Sequence, residues 1–223
     1  MSLDRPAPSR HGCGMSFFVT GTDTGVGKTR FTCLLLRALR AEGIAAAGYK
    51  PVCCGERDDA HLLAAASGGL DPDQVNPVWL KAPVAPLVAG MLENRPVDPA
   101  ALRADFQRFA AGHPRVVVEG AGGWRVPLAA GYDMGDLAVD FGLPVIIVVG
   151  NRLGALNHTL LTVDAIRSRG LPIAGLVVNQ LSDELDTAAI TNKGMLEELT
   201  GLPILAEIIH DQDFLDVEPF LQG

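Results

Sequence analysis

A glycine-rich run, Gly21-Thr22-Asp23-Thr24-Gly25-Val26-Gly27-Lys28-Thr29, constrains this chain more than any other feature. It follows the apolar segment Phe17-Phe18-Val19 and precedes an apolar helical pattern from Phe31 to Leu39 that stops at Gly43. Strand, loop and helix in that order turn successive backbone N–H groups toward one point and add the positive end of a helix dipole. Lys28 and Thr29 supply the ammonium and the hydroxyl that phosphate and Mg²⁺ require. The ligand predicted is a nucleoside triphosphate. In the common spacing G-x-x-x-x-G-K-[ST] the first glycine would fall at position 22, where this chain has Thr22, with Gly21 one residue early.

Short apolar, β-branched runs recur at residues 17–20, 45–50, 115–119, 145–150, 173–179 and 203–208, each leading to a loop and then a helical pattern. Strands apolar on both faces and separated by helices predict an α/β fold, a P-loop NTPase-like parallel sheet with helices on both faces. Ligands collect at the carboxyl ends of such strands. The residues just past those ends are polar or glycine-rich: the loop itself, Lys50, Glu119-Gly120-Ala121-Gly122-Gly123, Gly150-Asn151-Arg152 and Asn179. They are expected to converge on one site. The proline-rich stretch 82–99 reads as loop with short helical pieces, a lid or an edge connection.

With 223 residues, 48% of them apolar, the chain fits one domain over residues 15–223. Its formal net charge of −8 excludes a nucleic-acid or anionic-membrane surface, which would need clustered Lys and Arg, and leaves small molecules as partners. The apolar run 144–149 is far too short to span a membrane and reads as a buried strand. Residues 1–14 are polar and rich in Pro, Gly and Arg; they read as a disordered extension, natural or left from cloning. Cys13, Cys33, Cys53 and Cys54 contain no C-x-x-C pair, so neither a zinc site nor a disulfide framework is expected, and a reducing cytoplasm is the simplest home.

Several side chains stand out chemically. Lys50 ends a strand and precedes Pro51, which favours an extended conformation pointing on from the sheet; the alternative is a solvated strand-end lysine. Glu119 emerges from Val116-Val117-Val118, where an unpaired charge is costly, so it needs a cation: Mg²⁺ shared with Thr29, or a structural salt bridge. Asp58 is expected to cap the helix beginning near Ala60, with Asp59 as a second Mg²⁺ carboxylate; the alternative is that both are merely structural. Asn157 and His158 open a further helical pattern, with Asn157 either as its cap or as part of a carboxylate-binding helix start. His11, His61, His113 and His210 lie in scattered contexts without metal-ligand spacing and are assigned no catalysis.

These motifs resemble the dethiobiotin synthetase family from about residue 15 to 208. The matching stretches are Thr20 to Thr29, Gly48-Tyr49-Lys50-Pro51-Val52, Asp59-Ala60, Val118 to Trp124, and Leu153 to Thr159. The family's phosphate loop carries the same offset of its first glycine. The resemblance implies an ATP- and Mg²⁺-dependent reaction in which 7,8-diaminononanoate takes up CO₂ as a carbamate, ATP phosphorylates it, and the second amine closes the ring of dethiobiotin. By position, Lys28 and Lys50 flank the carbamate and the transferring phosphoryl group, with Thr24 beside the substrate. Asp23, Gly25, Val26, Gly27, Lys28 and Thr29 hold the phosphates, and Glu119, Gly120, Ala121 and Gly122 lie beside the nucleotide. Thr29, Asp59 and Glu119 bind Mg²⁺, and Asn179 contacts adenine. Cys54 is placed at the substrate, and Gly154, Ala155, Leu156 and Asn157 hold the substrate carboxylate across a homodimer interface.

Three departures from the family pattern stand out: Cys54 where a serine is usual, Ile209-His210-Asp211 where a Pro-Trp region contacts nucleotide, and an end soon after Phe220 where a few relatives continue. A competing reading is a partition or septum-site switch ATPase, which shares the fold. Those proteins carry a signature lysine early in the phosphate loop, and Asp23 stands there instead. An amide-forming synthetase of cobalamin type would need a glutamine-hydrolysing domain that this length cannot hold.

Overall fold

The computed structural model describes residues 16–183 and 186–221, so the extension expected over residues 1–14, with His11 and Cys13, lies outside the described residues. The elements follow in the order β1 (Phe17–Gly21), α1 (Lys28–Ala41), β2 (Ala47–Tyr49), β3 (Val52–Cys54), α2 (Asp58–Ala66), α3 (Pro72–Val75), β4 (Val78–Leu80), α4 (Pro86–Leu92), α5 (Pro99–Ala111), β5 (Val116–Gly123), β6 (Pro127–Ala129), β7 (Tyr132–Asp133), α6 (Met134–Phe141), β8 (Val145–Asn151), α7 (Ala155–Arg167), β9 (Ile173–Gln180), α8 (Thr187–Thr200) and β10 (Ile204–Ile208).

All six apolar runs become strands of one parallel sheet, ordered β10-β9-β8-β1-β5-β2. Successive side chains of a strand alternate between faces, and both faces of the inner strands are covered, which is why β1, β5 and β8 begin as unbroken apolar runs, while edge strand β10 carries the exposed Glu207. Phe17 and Val19 of β1, with Val117, Ile146, Val148 and Val177, meet Phe31, Leu35, Leu36 and Leu39 of α1. Phe18, Val118, Ile147, Val149, Leu176 and Val178 point the other way, onto Phe106 of α5, Met134 and Phe141 of α6, and Val163 and Ile166 of α7. Phe220 closes the first of these cores, its ring centroid 6.5 Å from that of Phe17 and 5.6 Å from that of Phe31.

Two small pairings were not legible as strands: β3 with β4, parallel, and β6 with β7, antiparallel. The β6–β7 hairpin delivers Asp133, which caps α6 by accepting from the Asp136 N–H at 3.0 Å and receives two bonds from Arg169 at 2.6 and 2.7 Å. The stretch 82–99 contains one short helix, α4, as expected of loop with helical pieces. No helix among the described residues is long and apolar enough to cross a membrane.

Candidate active site

Because the six strands are parallel, their carboxyl ends share one edge, and the phosphate loop lies there between β1 and α1. Gly25 and Gly27 have φ of +74° and +91°, a left-handed conformation that side chains disfavour. Gly27 is doubly constrained, since a Cβ on it would come 2.2 Å from Asn179 Nδ2. That amide instead donates to the Val26 carbonyl at 3.0 Å, so the end of β9 braces the loop from behind. Gly21 explains the offset glycine: a Cβ there would meet Val26 Cγ2 at 2.7 Å and Asp23 O at 2.9 Å, where the loop folds back over its own strand. No side chain caps α1 and no acidic residue stands in its first turn, so the helix start is left to an anion.

The sheet register assembles the charged centre. Tyr49 pairs with Val118, which brings the next residues, Lys50 and Glu119, level with one another, and Val19 pairs with Glu119 beside the loop. Lys50 Nζ donates to Glu119 Oε1 and to Asp59 Oδ2, each at 2.6 Å. Thr29 Oγ1 lies 2.8 Å from both Glu119 Oε1 and Asp59 Oδ1, and its single proton can serve only one of them. Asp59 sits in the first turn of α2, at the positive end of that helix. Lys50 is therefore buried and paired, not a solvated strand end, and its main chain is pinned by a bond to Val75 O and another from Asn76 Nδ2.

The two lysines respond oppositely. Burial acts against the Lys50 charge, but the carboxylates of Glu119 and Asp59 outweigh it and hold the ammonium well above the ordinary lysine range. Asp59, in turn, is held below the usual carboxylate range: burial opposes its charge, and the attraction of Lys50 prevails. Lys28 is lowered to about 8 by burial, with the charge of Lys50 next. Its nearest partner is a backbone carbonyl, Asp23 O, at 3.4 Å.

The donor set suits a hard divalent cation. Glu119 Oε2 is buried with no hydrogen-bond partner, and the hydroxyl and two carboxylates offer more oxygens than protons to bridge them. Among the described residues no group of three or more His, Cys, Asp or Glu forms a closed metal cage. Two carboxylates and a hydroxyl leave room for phosphate and water, the coordination Mg²⁺ prefers.

The remaining predicted residues divide into those brought to this centre and those kept apart. Gly122, at φ +61°, approaches Thr24: a Cβ on it would lie 3.4 Å from the Thr24 hydroxyl and 2.7 Å from Val126 Cγ2. Gly120 packs against Met134 and Phe18, and Ala121 follows it along β5, which runs on to Gly123 beyond the expected end at Glu119. Cys54 ends β3, half-buried, and burial pushes its thiol up to about 11. Gly154, Ala155, Leu156 and Asn157 form the start of α7, with Gly154 and Asn157 exposed. Among the described residues no hydrogen bond or ion pair joins them directly to Lys28, Lys50 or Glu119.

Two expectations need correction. Asp58 is not a cap: α2 begins at Asp58 itself, the cap position is Arg57, and no side-chain cap bond is made there. Arg57 is held elsewhere, by Asp73, Asn76 and Pro72. Asn157 is not a cap either, because left-handed Gly154 ends the turn and the helix starts two residues earlier than the pattern suggested. The structure gives a partner to Arg152, expected at this edge from its place past a strand, and adds Arg30. Arg152 pairs with Asp23 at 3.0 Å, linking the phosphate loop to the start of α7, where the Ala155 N–H bonds Arg152 O at 3.1 Å. Arg30 donates to Ile209 O at 2.6 Å and so ties α1 to the altered Ile209-His210-Asp211 loop.

Residues 15–215 match the model of a family described as an AAA domain. Curated relatives include the ATP-dependent dethiobiotin synthetase of Akkermansia muciniphila, 50% identical over 93% of this chain and 98% of the relative. Those of Aromatoleum aromaticum (44% identical, 87% and 90% covered) and Anaeromyxobacter dehalogenans (46% identical, 88% and 90% covered) carry the same description. Among solved structures, a ParA family ATPase from Chlorobium tepidum aligns with a TM-score of 0.55 at 16% identity, covering 90% of this chain and 86% of that one. The septum site-determining protein MinD from Pyrococcus horikoshii aligns with a TM-score of 0.54 at 16% identity, covering 88% and 82%. These two likenesses show the fold, a P-loop NTPase sheet, and nothing finer.

Proposed function

The chain belongs to the dethiobiotin synthetase family, ATP-dependent ligases that close the ring of diaminononanoate in biotin biosynthesis, and we propose how its own residues carry that reaction. The observation that supports the reading is the pairing of a phosphate loop with Lys50, Asp59, Glu119 and Thr29 at one sheet edge.

The substrate is 7,8-diaminononanoate. A free alkyl amine resembles lysine, with a pKa of about 10.4, so near neutral pH roughly one in a thousand is uncharged, a handicap of about 4 kcal/mol. Only the neutral amine can attack CO₂. The lone pair forms the N–C bond, the proton leaves to solvent, and a carbamate anion results. Lys28 and Lys50 assist twice, since nearby ammonium groups disfavour a third positive charge and favour the anion. A carbamate oxygen then attacks the γ-phosphorus, the bond to the β-phosphate oxygen breaks, and ADP departs. The second amine, in its neutral form, attacks the carbonyl carbon of the mixed anhydride, expelling phosphate, losing a proton to solvent and closing the ring. Lys28 and the loop N–H groups hold the phosphates throughout, largely an electrostatic task. When bound, Mg²⁺ would be held by Thr29, Asp59 and Glu119 and would supply further charge to the phosphates. Thr24 lies beside the substrate, Cys54 lines its pocket, and Asn179, whose Oδ1 is buried without a partner, is free to accept from the adenine amino group.

A homodimer belongs to the same proposal. The exposed start of α7, with Leu153 and Leu161 also exposed, would receive the substrate carboxylate of the partner's site. So does a cytoplasmic setting, in keeping with the free thiols of Cys33, Cys53 and Cys54. The test is incubation with 7,8-diaminononanoate, bicarbonate, Mg²⁺ and ATP, followed by mass spectrometry. Dethiobiotin formed only with ATP, and lost in Lys28→Ala, is expected; ATP binding without product would sink the substrate assignment.

A further inference from the structure

We infer that Asp59 and Glu119 form a seat for one cation at a time, which the Lys50 ammonium fills until a divalent ion arriving with nucleotide displaces it toward the substrate. The inference rests on the proposed assignment of Thr29, Asp59 and Glu119 as metal ligands. Both carboxylates named there are already engaged: Lys50 Nζ lies 2.6 Å from Asp59 Oδ2 and 2.6 Å from Glu119 Oε1. The third ligand, Thr29 Oγ1, touches the same Glu119 Oε1 at 2.8 Å. An ion bound to those oxygens at about 2.1 Å would stand next to the ammonium, and the like charges would repel across a water-poor interior.

The ammonium is the group best able to give way. The Lys50 main chain is fixed by its N–H to Val75 O and by Asn76 Nδ2 to its carbonyl, both at 2.8 Å, whereas four methylene groups let the charged end swing. Glu119 has less room to follow, since its side chain is shorter and 0% exposed, on a strand flanked by β1 and β2. Its second oxygen, buried without a partner, gives the incoming ion a contact that the ammonium does not use. Displacement turns Lys50 from a counterion of the enzyme into a counterion for the substrate. The consequence is an order of events: the lysine charge becomes available to the carbamate only after the metal and nucleotide are in place.

The experiment measures Mn²⁺ binding by electron paramagnetic resonance with ADP present, which leaves out any contact of Lys50 with a γ-phosphate. Glu119→Gln tests the ligand assignment, and Mn²⁺ affinity unchanged in that variant overturns it. Lys50→Met tests the displacement. Freed of its competitor, the seat is expected to bind Mn²⁺ at least about tenfold more tightly than wild type. Affinity equal to or weaker than wild type, while Glu119→Gln still loses the ion, overturns the displacement alone. A crystal structure of the wild-type protein with Mn²⁺ and ADP covers the case in which Lys50→Met does not fold. Lys50 Nζ more than about 3.5 Å from Glu119 Oε1 supports the exchange, and both lysine bonds intact beside a bound ion refute it.

Discussion

Replacing Glu119 by Gln in the ligand-free protein should be far more costly than replacing Asp59 by Asn, although both carboxylates meet the same ammonium at the same 2.6 Å. The difference lies in solvent. The Glu119 side chain is 0% exposed and that of Lys50 3%, whereas Asp59 is 40% exposed. Breaking a buried pair by removing one partner costs about 3–5 kcal/mol when the other charge is left without compensation, and because Asp59 stays with Lys50 that range is an upper bound here. A pair with one partner open to water contributes about 0–1 kcal/mol. For a chain of this size each kcal/mol moves the melting temperature by about 2–4 °C, so Glu119→Gln should lower it by up to about 20 °C and Asp59→Asn by no more than about 4 °C. Calorimetry without nucleotide or divalent ions reads both. The double variant Lys50→Met/Glu119→Gln closes the cycle and should recover part of the loss, because a neutral amide beside a thioether leaves no buried charge unpaired and the Asp59 carboxylate, 40% exposed, can turn to water. Equal losses for the two single carboxylate variants, or strict additivity in the cycle, would refute the reasoning.

Lys28, at about 8, gives nucleotide binding a pH dependence. An anion prefers the protonated lysine, so ADP affinity should stay level below pH 8 and weaken about tenfold per pH unit above it, which titration calorimetry at pH 7 and 9 would show and Lys28→Arg would abolish. Cys54→Ser should leave kcat unchanged and KM for the diamine equal or lower, since burial keeps the thiol protonated and a thiol is a weak donor; a tenfold fall in kcat would show that the sulfur has its own task. Asp133→Asn should cost about 2 kcal/mol by removing the charge-assisted bonds from Arg169. Although burial opposes it, those bonds hold the Asp133 carboxyl below its usual range. Its stabilisation is present above the unfolded aspartate value and is lost as pH falls through the lower folded one, so the variant should show a shallower acid decline in denaturant titrations than wild type.

The sheet was legible because its signal is local. Strands buried on both faces, such as Val116-Val117-Val118 and Val145 to Val149, are apolar at every position, and no tertiary contact is needed to recognise them. β3 and β4 are three residues each, and their pairing depends on chain neighbours 26 positions apart, which no local pattern reports. The helix starts failed for a related reason. Asp58 and Asn157 are good capping residues by type, yet the caps fall on Arg57 and Gly154, where backbone geometry decides. Glu119 was legible as a buried carboxylate needing a cation; that the cation in the ligand-free protein is Lys50 depended on the register of β2 against β5. Asp23–Arg152 joins residues 129 apart in sequence and could be read only as two polar strand ends.

The opposite environments of the two lysines divide the work between them. Lys50 is neutralised on both sides within the enzyme, so phosphate arriving in the loop adds little to its stability. Lys28 is buried against a single backbone carbonyl at 3.4 Å, and among the described residues it forms no ion pair. Its charge is costly until an anion comes, and that cost is what lowers its pKa to about 8. Binding of phosphate removes the cost, so the loop gains affinity from a lysine that the folded chain leaves unsatisfied. A carboxylate placed beside Lys28 would stabilise the empty protein and weaken its grip on nucleotide. Gly25 and Gly27 hold the neighbouring N–H groups to the same purpose, in a left-handed conformation open to glycine, with Asn179 bracing the loop at the Val26 carbonyl. The phosphate site is thus kept ready by unpaired charge, and the cation seat beside it by a charge already paired, which is why the first should respond to nucleotide and the second to metal.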